Sequence, residues 1–152
     1  IGAAIRAISP SVYFIVAASL ALGMALQVTG ATAYMTNVFL YLTADSGPFV
    51  VLSSLMLLLA VLTNVVSNNA AAVIGTPIGI GIANGLMLPP EPFILAVLFG
   101  ANMSYATPMA YKTNLLVMSA GNYTFAEFVK VGTPLTILMW ITLSYVLSAM
   151  YL

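Results

Sequence analysis

The sequence predicts an all-α membrane protein with a helical hairpin that turns back partway through the bilayer and a second helix broken at a similar depth. Three observations predict it. The 152-residue chain is 62% hydrophobic and 4% charged, whereas a soluble domain carries about 25% charged residues. Residues 46–90 hold no charged side chain, and a polar knot, TNVVSNNAAA (63–72), lies in the middle of that run. A second polar interruption, SYATPMAYKTN (104–114), cuts the next apolar stretch.

The same composition excludes several classes. Mean hydropathy is +1.13, which sets aside soluble enzymes. Three Lys/Arg balance three Asp/Glu, so no basic face points to nucleic acid. Cys and His are both absent, which removes disulfides, thiol nucleophiles and the usual zinc ligand sets. No cofactor is expected. The chain starts at Ile1 in mid-pattern and shows no signal-peptide order. It holds about five membrane elements and no internal repeat, which is small for a transporter built from two repeats. A piece of a larger, multi-pass inner-membrane permease is expected.

In chain order, Arg6 precedes Ser9-Pro10, a helix-start signal. A spanning helix is expected over 11–29, where Gly23 and Ala25 would let a neighbour approach closely. Gln27 is its one strongly polar residue and suits an interfacial position. Residues 31–44 are expected to form an interfacial helix, with Tyr34, Asn37 and Tyr41 opposite Val38, Phe39 and Leu42. Asp45-Ser46-Gly47-Pro48 is a turn.

The hairpin is expected over 48–87. Its first arm, 48–62, would be only about 22 Å long, short of a hydrocarbon core about 30 Å thick. The second arm, 70–87, contains Thr76-Pro77 and Gly79, Gly81 and Gly85, which should loosen or kink it. Leu88-Pro89-Pro90-Glu91-Pro92 is a loop. A helix over 92–120 is expected to break at 104–114, because Pro108 removes a donor and disfavours helix at Thr107. The last helix, 125–151, opens with an interfacial segment carrying Glu127 and Lys130. Its spanning part starts at 131, with Trp140 and Tyr145 facing lipid or neighbouring helices.

Both interruptions lie between arms too short to span, a recurring device of secondary transporters. A half-helix start offers unpaired N–H groups and a positive dipole end, which suits an anion. A half-helix end offers carbonyl oxygens, which suit sodium. Thr63, Ser67, Asn68, Asn69 and Asn114 can serve either ion. The plainer reading makes them helix caps and interhelical bonds, and lets Thr63, Thr107 and Thr113 bond back to their own helices. Lys112 is the one charge in the second break, a residue that either marks function or snorkels to an interface.

Three stretches, AASLALGMALQVTG (17–30), the TNVVSNNAAA knot with its following Thr-Pro, and residues 105–137, together resemble the divalent anion:sodium symporters. The likeness is to the C-terminal repeat of bacterial permeases with TrkA-C-type domains between their membrane halves. It implies one inverted repeat of an elevator-type transporter, working as a homodimer with the N-terminal repeat as partner. The resemblance places the small anion, sulfate or dicarboxylate, at Ser67, Asn68 and Asn69, with Tyr111 and Asn114 at matching positions of the second break. It places sodium, the coupling ion, at the Thr63 and Asn68 side chains and at carbonyls near Val66, Ala110 and Lys112. Asn69 departs from the family's common Thr, and Lys112 stands where an uncharged residue is usual. Lys112 makes a proton-coupled antiporter or arsenite-type exporter of the wider superfamily a rival. A non-transporting membrane anchor is the other, though an anchor has no use for Asn pairs and Thr-Pro breaks at half-membrane depth.

Overall fold

The computed structural model describes residues 10–43 and 46–152. Arg6, Ser9, Ala44 and Asp45 lie outside the described residues. Among those described the chain is helical throughout, without strands.

Helix α1 (Pro10–Val28) starts on its proline and ends where the Thr29 hydroxyl donates to the Ala25 carbonyl at 2.7 Å. Gly30 takes a left-handed conformation, φ 75°, and turns the chain into α2 (Ala31–Leu42). The inward face of α2 differs from the expected one. Thr36 is buried and Phe39 and Leu40 pack on the core, while Val38 and Leu42 point outward. The cause lies on a distant helix, where a Cβ added at Gly81 would stand 2.6 Å from Thr36 Oγ1, and one at Gly85 would stand 2.7 Å from Leu40 Cδ1. Thr36 and Leu40, four residues apart, therefore nest on a surface without side chains. At Gly23 an added Cβ meets nothing within 4 Å among the described residues.

The hairpin consists of α3 (Pro48–Thr63) and α4 (Asn68–Gly85). Proline opens α3, where its missing N–H costs nothing. Helix α4 runs through Thr76-Pro77 without ending there. Pro77 removes one bond to the preceding turn, but the Thr76 hydroxyl donates to the Ala72 carbonyl at 2.7 Å. The glycines of α4 serve packing rather than loosening. Gly75 receives Leu59 and Val97, and Gly79 receives Val97 and the Phe93 carbonyl.

Helix α5 (Glu91–Ala101) lies against both hairpin arms. Gly100 brings it onto α3 so closely that an added Cβ would stand 2.7 Å from the Met56 carbonyl. After α5 come a 3-10 turn (Pro108–Ala110), α6 (Lys112–Gly121) and α7 (Phe125–Tyr151). Helix α7 is continuous from Phe125, so the segment carrying Glu127 and Lys130 is the first part of the last helix. Thr124 and Glu127 form a reciprocal capping box at its start.

The core is Val51, Leu52, Leu55, Met56, Leu59 and Ala60 of α3 against Phe93, Ala96 and Val97 of α5 and Ile78, Ile82 and Ala83 of α4. Leu against lipid is as apolar as Leu against Leu, so close fit rather than expulsion from water holds such helices together. The glycine contacts supply that fit. Helix α7 packs on α3 and α5. Trp140 Nε1 donates to the Ser53 carbonyl at 2.9 Å, whereas Tyr145 is exposed. Among the described residues α7 alone is long and apolar enough to cross a membrane, and α3 and α5 are shorter apolar helices.

Candidate functional site

Both helix breaks fall in one place. Helix α3 ends at Thr63 and α4 starts at Asn68, α5 ends at Ala101 and α6 starts at Lys112. Side chains of the first break bond to the backbone of the second, so two helix ends and two helix starts converge.

Thr63 is fully buried. Its Oγ1 lies 2.8 Å from Asn68 Oδ1 and 2.7 Å from the Ala101 carbonyl. A hydroxyl has one proton and can donate to only one of these. Rotating the Asn68 amide by half a turn lets its Nδ2 donate to Thr63, whose proton then goes to Ala101. Ser104 Oγ, 3.3 Å from the amide and buried, is the next member of the chain. Thr63, Asn68 and Ser104 form a polar cluster in an apolar surround, and leaving such groups unpaired would cost about 1–3 kcal/mol each.

Ser67 is the N-cap of α4 and accepts from the Ala70 N–H at 3.3 Å. This is the cap role that the plainer reading assigns to it. Asn69, the next residue but one, is exposed at the same helix start. Asn114 of α6 donates to the Ser104 carbonyl at 2.8 Å and to the Thr107 carbonyl at 3.3 Å, tying α6 back over the break. Ala110 is buried in the 3-10 turn. Tyr111 caps α6 without a side-chain bond and is exposed. Lys112 is the first residue of α6 and is exposed. The positive helix end disfavours its charge. Val66 lies at the tip, its N–H bonded to the Leu62 carbonyl at 2.9 Å.

The geometry thus joins Thr63, Asn68 and Asn114 to the second break through bonds. Asn69, Tyr111 and Lys112 stand at helix starts beside it. Sequence reasoning missed Asn64, Ser104 and the Ala101 carbonyl as partners. Asn64 Nδ2 donates to the carbonyls of Ala60 and Met103 at 2.7 and 2.9 Å. Its Oδ1 accepts from the N–H groups of Ala106 and Thr107 at 3.0 and 3.2 Å. The signal was present: Asn64 is the polar residue beside Thr63, at the end of the apolar run 55–62. Among the described residues no group of three or more His, Cys, Asp or Glu side chains comes together to hold a metal ion.

A CitMHS citrate transporter profile matches residues 3–152. Curated relatives include "Uncharacterized transporter sll0640" of Synechocystis, 35% identical over 149 residues, 95% of this chain and 24% of that protein. "Uncharacterized transporter YfbS" of Escherichia coli is 35% identical over 130 residues, 86% of this chain and 21% of the relative. "Sodium/sulfate cotransporter 1" of Chlamydomonas reinhardtii is 32% identical over 143 residues, 93% of this chain and 16% of the relative. The chain therefore spans less than a quarter of the length of these relatives.

Proposed function

The chain belongs to the citrate transporter family, which makes it a membrane protein and not an enzyme, and from that premise we propose that it is one repeat of a sodium-coupled transporter for a small divalent anion, sulfate or a dicarboxylate. The observation that carries the proposal is the meeting of the two helix breaks around Thr63, Asn68 and Ser104. The Chlamydomonas relatives named as sodium/sulfate cotransporters support the ion pair chosen.

The anion sits against the starts of α4 and α6, beside Ser67, Asn68, Asn69, Tyr111 and Asn114. Backbone N–H groups and the positive helix ends offset its charge there. Sodium sits on the oxygens of Thr63 and Asn68 and on carbonyls of Val66, Ala110 and Lys112. Its charge offsets the anion and holds the tip in shape. The hairpin is re-entrant: at about 1.5 Å per residue its arms α3 and α4 reach roughly 24 Å and roughly 27 Å, short of the ~30 Å core. The loaded block then moves across the membrane elevator-fashion, in a homodimer whose protomers each carry a second, inverted repeat. The length of the relatives leaves room for that repeat and for soluble domains of the TrkA-C type.

The test is uptake of sulfate and of succinate by the full-length permease in liposomes. Asn68→Ala abolishes sodium-driven uptake while the protein still inserts. Unchanged uptake refutes the site.

Lys112 favours a second reading, a proton-coupled antiporter. An ammonium at the start of α6 takes the place of a bound cation. Sodium-independent, proton-driven flux supports it.

A further inference from the structure

We propose that Asn64 is a positioning residue that latches the hairpin tip to the second break, so that the two breaks open and close as one unit. The inference rests on the transport reading and deepens it.

Asn64 follows the last residue of α3, and its carboxamide uses every group it has. Nδ2 spends its two protons on Ala60 of its own arm and on Met103 just past α5. Oδ1 takes the two successive N–H groups of Ala106 and Thr107. The Asn64 carbonyl also accepts from the Thr107 hydroxyl at 2.7 Å.

Each partner needs this. Thr107 precedes proline and is extended, φ −130° and ψ 145°, so its N–H cannot join a helix. The Ala106 N–H and the Met103 carbonyl also lie in the unwound stretch. Backbone groups at membrane depth need partners from protein. The second break is thus completed by the hairpin tip. Only a carboxamide of this length serves: aspartate would set an oxygen against the Ala60 and Met103 carbonyls, and leucine would leave four groups bare.

The latch also fixes chemistry it does not touch. Thr63 is the preceding residue and bonds to the Ala101 carbonyl, while Asn68 reaches Ser104. The spacing of these oxygens depends on the register between the tip and residues 101–107, which Asn64 sets. Ion binding at the tip is therefore felt at the second break through Asn64.

The experiment compares full-length wild-type protein with Asn64→Leu and Thr107→Val in liposomes. Hydrogen exchange is read without and with sodium sulfate, and sulfate uptake is measured at varied sodium and sulfate. In Asn64→Leu, exchange at residues 106–107 rises about tenfold or more, and both half-saturating concentrations rise by a similar factor at unchanged inserted amount. Thr107→Val moves both readings the same way by a smaller factor. The double variant adds little to Asn64→Leu, as expected of groups in one network. Unchanged exchange at 106–107 in both single variants overturns the latch. A lower maximal uptake with unaltered half-saturation also overturns it, because a merely structural residue changes only the amount of working protein. If the wild type shows no sodium-dependent uptake of sulfate or succinate, the transport reading falls, and the exchange comparison still decides the latch.

Discussion

Gly132 of α7 rests directly against the backbone carbonyl of Tyr105 in the second break. A Cβ added there would overlap Tyr105 and come within 2.7 Å of the Ala106 Cα. The obstacle is backbone, which cannot swing aside as a side chain does. Gly132→Ala is expected to push α7 or the break from its place and to cost roughly 1–3 kcal/mol. Thermal unfolding of the full-length protein in detergent measures this. Gly23→Ala is the control, since its added Cβ meets nothing within 4 Å, and should change stability by no more than about 0.5 kcal/mol.

Thr63→Val keeps the shape of a fully buried side chain and removes its hydroxyl. The Ala101 carbonyl and the Asn68 amide each lose a partner. A cost of about 1–3 kcal/mol is expected, together with weaker dependence of uptake on sodium. Thr63→Ser should retain most of both. Sodium titrations of uptake that coincide for Thr63→Val and wild type would remove Thr63 from the cation site.

Trp140→Phe separates packing from function. It deletes the Nε1 bond to the Ser53 carbonyl. That carbonyl keeps its place in the helix ladder, so the loss should lie near the low end of about 0.5–1.5 kcal/mol. Melting temperature should fall slightly while the half-saturating anion concentration stays put.

Lys112→Gln tests the coupling ion. The substitution removes a cation from the positive end of α6. If the ammonium stands in for sodium, the variant gains or sharpens sodium dependence. Uptake measured against opposed sodium and proton gradients reads this directly, and an unaltered gradient preference counts against any role for Lys112 in coupling.

The local features of the two breaks were legible in the sequence, and their mutual arrangement was not. Ser67 before two Asn in an uncharged stretch announces a helix start, and Pro108 announces an extended Thr107. These signals work over a few residues. The bond from Thr63 to Ala101 spans 38 residues, and the bonds from Asn64 to Ala106 and Thr107 span 42 and 43. Spacing along one helix carries no trace of such contacts. The rotation of α2 was illegible for the same reason, because its inward face is chosen by Gly81 and Gly85. Pro77 does not end α4, and helix propensity carries no sign of the Thr76 hydroxyl that bonds back to the Ala72 carbonyl in the turn before it.

The close seat of Gly100 on the Met56 carbonyl has a mechanical corollary. Main chain against main chain leaves no rotamer to give way, so α3 and α5 are riveted and carry the ends of both breaks as a stiff beam. The border between α2 and α4 is of another kind. It rests on the tips of Thr36 and Leu40, and the Thr36 hydroxyl there has no hydrogen-bond partner among the described residues. Stress between the helices is relieved first at that compliant seam, and the ends of both breaks keep their spacing on the beam.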